Sequence, residues 1–301
     1  MARLSLTPPA LHDPHQGRSA RLTGPDKGLV KTTSPVRSTY LFALLDGLIA
    51  RASALCAIMR MLFTADLHYA LKQFDWLVAN ARNFDLIIIG GDLLDLNSTL
   101  DSDVQIVVVE KYLDRIRRET RVLVSSGNHD GDSRNAADES VAQWIRDARA
   151  KGVFADGDSL ELSGNLVTIC PWWDGPSSRS DLEEQLTRAA ATVRGRWIWV
   201  HHAPPAGSKV CWTGKKSAGD EFLLEWIKRL RPDIVLSGHI HNSPFYPDGA
   251  WVDRIGPTWV FNPGREIGPT PVHIVLDLEA MTAEWISTDG RLLQRLAATD
   301  G

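Results

Sequence analysis

From residue 61 onward, short apolar runs alternate with segments of helical spacing, and that alternation limits the fold more than any other feature. Met61–Thr64, Asp85–Ile89, Arg121–Ser125, Asn165–Cys170, Arg196–Val200 and Ile234–Leu236 read as strands. Between them, Phe74–Ala81, Val104–Glu119, Val141–Ala150, Asp181–Val193 and Gly219–Arg231 read as helices. In the second of these, Val108, Tyr112 and Ile116 are spaced to share one face. Asp85–Ile89 is almost continuously apolar, as a strand covered on both sides must be. Helices between strands imply a parallel or mixed sheet with helices on its faces. After His241 the pattern turns to β, with Trp251–Arg254, Trp259–Asn262, Val272–Leu278 and Ala283–Ser287. The extra strands call for a second sheet. The expected fold is α/β, a layered α/β/β/α sandwich of two mixed sheets, and no internal repeat competes with it.

Residues 1–39 differ in kind. They are rich in Pro, Ser, Thr, Gly and Arg without a hydrophobic period, which predicts disorder. Tyr40–Met59 has the spacing of an amphipathic helix, and composition changes abruptly at Met59-Arg60-Met61. The expected division is a dispensable extension over 1–58 and one domain over 59–301.

The totals exclude several classes. The chain has 301 residues, 44% hydrophobic and 23% charged, which is enough for a large core. A net charge of -4 neither demands nor forbids a nucleic-acid partner. Three scattered cysteines, Cys56, Cys170 and Cys211, form no CxxC pair and fit a reducing cytoplasm better than a disulfide framework. The most apolar stretch, Tyr40–Met59, is interrupted by Asp46 and Arg51, so no membrane partner is expected.

Five polar clusters each follow a predicted strand: Asp66-Leu67-His68, Gly90-Gly91-Asp92, Gly127-Asn128-His129-Asp130, His201-His202 and Gly238-His239-Ile240-His241. Ligands bind at the carboxyl ends of strands in such sheets, so all five should meet at one edge. Carboxylate, amide and imidazole donors suit Mn, Fe or Zn. A single such cluster carries little weight, since a lone histidine is most often a hydrogen-bonded structural residue.

The ordered set D-x-H, G-G-D, G-N-H-D, H, G-H-x-H resembles the calcineurin-like metallophosphoesterase family, over residues 61 to about 288. The resemblance implies two divalent metal ions, manganese first among them. Asp66, His68 and His241 would hold one ion, Asn128, His201 and His239 the other, and Asp92 would bridge them. The nucleophile would be a hydroxide between the ions. His129 would protonate the leaving oxygen or stabilise the phosphoryl group, and Asp95, three residues after the bridge, would pair with it. Position directly past the strand favours His201 over His202 as the ligand, leaving His202 to face the substrate phosphate. Asp130 reads either as a helix cap or as the group orienting His129.

Family protein phosphatases carry Arg after the G-D-x-x-D spacing. This chain has Leu96, which argues against a phosphoprotein substrate. His202-Ala203-Pro204-Pro205 and the late turn Asn262-Pro263-Gly264-Arg265 resemble small bacterial phosphodiesterases, and Arg265 becomes a candidate phosphate contact. The expected function is hydrolysis of a small phosphorylated substrate, with diesters ahead of monoesters. The competing readings are a phosphomonoesterase, a nuclease, a lipid-precursor pyrophosphatase and a metal-binding interaction module without turnover. Of the eleven Trp, Trp197 and Trp199 read as packing, whereas Trp172, Trp173 and Trp212 lie in loops where they would either pack or stack on a base or aryl group.

Overall fold

The computed structural model describes residues 59–296. The extension expected over 1–58, its helix and Cys56 lie outside the described residues. Two six-stranded sheets dominate. The first has parallel strands β1 (Arg60–Thr64), β2 (Leu86–Gly90) and β3 (Arg121–Ser125). A short ribbon, β4 (Ser133–Arg134) and β5 (Ser140–Val141), stands apart. The second sheet takes β6 (Ser159–Leu162), β7 (Asn165–Ile169), β8 (Trp197–Val200), β9 (Ile234–Leu236), β10 (Val252–Ile255) and β11 (Thr258–Phe261), in the order 10-11-9-8-7-6. The chain then returns antiparallel to β1 with β12 (His273–Asp277), β13 (Thr282–Ser287) and β14 (Gly290–Arg295), giving the first sheet the order 14-13-12-1-2-3.

Helices α1 (Leu71–Asn80), α2 (Ser102–Arg117) and α3 (Gln143–Asp147) cover the outer face of the first sheet, through Leu62, Ile87 and Ile89. Helices α4 (Pro176–Ala190) and α5 (Glu221–Leu230) cover the second, through Trp197, Trp199 and Val235. Between the sheets lies a core of Met61, Phe63, Ile88, Val167, Ile198, Val200, Leu236 and Phe261. Successive side chains of a strand alternate faces, so each central strand needs apolar residues at every position to fill both cores. The mixed α/β/β/α sandwich is therefore as expected.

Three details differ. On α2 the buried face is Gln105, Val109, Leu113 and Ile116, one residue round from the anticipated Val108 and Tyr112. The helix expected over 141–150 begins later, because Ser140–Val141 pairs with Ser133–Arg134, and its end is a 3-10 turn over Ala148–Lys151. Strands β4, β5, β6 and β14 were not foreseen. β14 reads Gly-Arg-Leu-Leu-Gln-Arg, is mostly exposed and is held only along one edge by β13, so no hydrophobic alternation marks it.

Candidate metal centre

All five polar clusters meet where the carboxyl ends of both sheets converge. β1, β2 and β3 deliver Asp66, His68, Asp92 and His129; β8 and β9 deliver His202, His239 and His241. Among the described residues, three sets of donor atoms come within 4.8 Å of one another: Asp66, His68, Asp92 and His241; Asp92, His202 and His239; and His68, Asp95 and His129. Asp92 belongs to the first two. His68 Nε2 and His241 Nε2 stand 3.0 Å apart, and His241 Nε2 is 3.3 Å from Asp66 Oδ1. His202 Nε2 lies 3.1 Å from Asp92 Oδ2.

The backbone is bent to achieve this. Asp66, His68, Asp92 and His239 all have positive φ, at 56°, 42°, 53° and 67°. Such conformations cost about 1–3 kcal/mol each and persist only where surrounding bonds enforce them. The enforcement is visible. Amides of Asp66, His68 and Tyr69 donate to the carbonyls of Gly91, Asp92 and Leu93, lacing the first loop to the second. The His239 amide donates to the Asp66 carboxylate at 3.0 Å. Gly91 has a φ of 95°, and a Cβ there would come within 2.5 Å of His202 Nδ1. At Gly127 a Cβ would collide with the Asp92 carboxylate.

Asp130 is the central clamp. Its fully buried carboxyl accepts from the amides of Asp92 (2.8 Å), Leu93 (2.9 Å), Leu94 (3.1 Å) and Gly127 (2.8 Å). It neither caps a helix nor touches the His129 ring, so both readings of it are corrected. Burial, with Asp92 adding to it, pushes this carboxyl up to about 7 against the pull of the amides.

His201 needs the larger correction. Its ring is fully buried on the helix side of the second sheet, 3.7 Å from Asp220, and away from Asp92. His202 takes the ligand position anticipated for His201, with Nδ1 on the Gly90 carbonyl at 2.8 Å and Nε2 aimed at Asp92. It is wholly buried, so it presents no open face to a substrate phosphate. The cause is strand parity: Trp197, Trp199 and His201 point to the helices, Ile198, Val200 and His202 to the space between the sheets.

His129 is half-buried, its Nε2 4.0 Å from Asp92 Oδ2. Its Nδ1 accepts the Leu96 amide at 3.3 Å, which leaves the proton of the neutral ring on Nε2. Asp95 has an oxygen within 4.8 Å of the His129 and His68 rings, but its carboxylate bonds to the Asn97 amide, so the direct Asp95–His129 pair does not form. Asn128 is exposed between Gly127 and His129, whose amide donates to Asp92 Oδ1. Arg265 is half-buried and donates from Nε to the Asp66 carbonyl at 3.0 Å. Asp220 escaped the sequence reading altogether. It sits directly before α5, accepts the Leu223 amide as an N-cap and holds the Trp173 indole N–H.

The donors fit a pair of cations. His202 Nε2 is buried and faces Asp92 Oδ2 at 3.1 Å, and two imidazole nitrogens converge beside Asp66. Burial disfavours a proton on His202, yet Asp92 and Asp66 overcome it and hold that ring up to about 9. The field that retains a proton there would retain a divalent ion. Burial also raises Asp66, but bonds from His241 and His68 win and hold it far below the carboxylate range. His239 is lowered to about 4, chiefly by burial and then by His202, so it offers a free lone pair.

An α/β/β/α sandwich with two Asp/His donor sets sharing one carboxylate has the architecture of a metallophosphoesterase. A family model described as calcineurin-like phosphoesterase matches residues 59–243, and the chain belongs to that family. A viral relative named "Putative phosphoesterase 078R", from Invertebrate iridescent virus 3, is 23% identical over 218 residues. That match takes in 65% of this chain and 58% of the relative, so the chain spans less than two thirds of that protein. TT1561 of Thermus thermophilus has the same fold, with a TM-score of 0.52 at 14% identity over 80% of this chain and 100% of that one. A dimetal phosphatase from Danio rerio gives a TM-score of 0.49 at 11% identity, over 80% and 99% of the two chains. Among the described residues, no helix is long and apolar enough to cross a membrane.

Proposed function

We propose that this chain hydrolyses phosphate esters, diesters ahead of monoesters, with two divalent ions held by Asp66, His68, Asp92 and His241 and by Asp92, His202, His239 and Asn128. The observation that carries it is the single Asp92 carboxylate shared by two converging donor sets. When bound, two such ions offset phosphate charge and acidify water. Manganese is the first ion to try: the carboxylate oxygens suit it, and the family resemblance favours it over the iron and zinc that the imidazoles also suit.

The protein's own groups have distinct tasks. His129, with its proton on Nε2, protonates the departing alkoxide. Arg265, anchored by Nε to Asp66, offers its remaining guanidinium N–H groups to a phosphate oxygen. Leu96, where an Arg would favour a phosphoprotein, leaves room for a small diester. The test is release of nitrophenolate from bis(p-nitrophenyl) phosphate and from p-nitrophenyl phosphate, before and after chelation and manganese return. Faster diester turnover that vanishes with chelation and returns with manganese is expected. A protein that binds two ions and turns over neither ester would be an interaction module instead.

A further inference from the structure

A cavity of about 470 Å³ opens beside His239, walled by Trp172, Trp173 and Phe222, with Asp174 and Glu221 at its rim. Its aromatic wall begins at the candidate metal centre itself. The Trp172 ring lies 5.6 Å from the His239 ring and 5.8 Å from that of His202. The wall is also fixed in place. The Trp173 indole donates to Asp220 at 2.8 Å, the Trp172 amide donates to the Ser126 hydroxyl at 2.9 Å, and Phe222 meets Trp173 edge to face.

Charge narrows the occupant. The carboxylates lining the cavity, Asp174, Asp220 and Glu221, outnumber the one adjacent guanidinium, Arg179, so a second phosphate or a carboxylate is disfavoured there. A cationic headgroup is disfavoured as well, because the Arg179 guanidinium already lies 3.9 Å from the Phe222 ring centre and 5.6 Å from that of Trp173. What remains is a flat, uncharged group whose N–H atoms can reach a rim carboxylate. Resting on the phosphodiesterase reading, we propose that this cavity receives one ester group of the substrate, and that the group is a nucleoside or comparable uncharged aromatic alcohol. Trp172, Trp173 and Phe222 then set specificity and take no part in breaking the P–O bond.

Phe222 is 37% exposed near the start of α5, so Phe222→Ala leaves the core intact. The test compares two diesters with one leaving group: the p-nitrophenyl phosphate esters of thymidine and of methanol. Wild type should prefer the thymidine ester, and Phe222→Ala should lower that preference in kcat/KM by about tenfold, as loss of a base-stacking ring does. An unchanged ratio would overturn the assignment. Saturation-transfer NMR with thymidine alone on metal-free protein reads the cavity apart from catalysis. Transfer in wild type that is lost in Phe222→Ala supports the cavity even if neither ester is hydrolysed, an outcome that would sink only the phosphodiesterase reading. No transfer in wild type overturns the cavity assignment.

Discussion

At the scale of single residues, the neighbours His201 and His202 show what a sequence does and does not disclose. Both follow β8, and distance from the strand end favoured His201. Parity decides instead, since the ring facing the space between the sheets is the one in step with Ile198 and Val200. The alternation Trp-Ile-Trp-Val puts His201 in step with the tryptophans and His202 in step with Ile198 and Val200, but only the packing of the two sheets says which face turns toward Asp92. His202→Asn should therefore abolish binding of one ion, while His201→Asn keeps both and costs stability only; metal content by mass spectrometry checks it, and the reverse pattern would restore the first assignment. Asp66, Asp92 and His129 were legible as members of one cluster from their places after strands, while the roles given to them rest on the family resemblance. Asp130 was visible as a residue but not as a clamp, because its partners are backbone amides that sequence does not single out. Asp130→Ala strands four amides and should cost on the order of 3 kcal/mol, a melting temperature lower by roughly 6–12 °C. His129→Ala should keep the ions and slow turnover ~10²–10⁴-fold, less for nitrophenolate than for poorer leaving groups. An equal loss across leaving groups would make His129 a phosphate contact instead of an acid.

At the scale of elements, the sandwich was legible because its central strands are apolar on both faces, whereas the edge strands β6 and β14 were not, because an edge strand is free to be polar. A less visible device starts helix α4. Glu139, from the loop between β4 and β5, accepts the amides of Ser177 and Ser178 at 2.7 and 2.6 Å, in the helix's first turn. A carboxylate there meets the positive end of the helix dipole. Burial opposes its charge, but the bonds from Ser178, Ser177 and Asn135 prevail and lower its pKa from 4.5 to about 2. A carboxyl depressed on folding stabilises the fold in full above its unfolded value of 4.5, and the contribution fades as pH falls toward about 2. Wild type should therefore melt above Glu139→Gln at pH 7, with the gap closing as the pH is lowered through that window. A gap that stays constant with pH would show that the contact acts by shape, not charge.

At the scale of the whole molecule, the question is how much chain the sandwich needs. The sequence suggested that the domain begins at Met59 or Met61, and the contacts of Met59 and Arg60 say what a start at Met61 would cost. Met59 is buried in the core between the sheets, and Arg60 opens β1, pairing with Asp277 of β12, while its amide donates to Asp85. A chain cut to start at Met61 would lose a core side chain and the first rung of a central strand. Removing a buried methionine alone costs about 2–5 kcal/mol, a large share of a stability of about 5–15 kcal/mol. Among the described residues, every strand partner of β1 lies within 60–277, and every residue of the candidate centre lies within 66–265. A chain starting at Ala57 should thus match the full chain in melting temperature, manganese content and kcat/KM, whereas one starting at Met61 should melt well below both. Loss of more than about tenfold in kcat/KM, ~1.4 kcal/mol, on removing residues 1–56 would instead make that segment part of the enzyme.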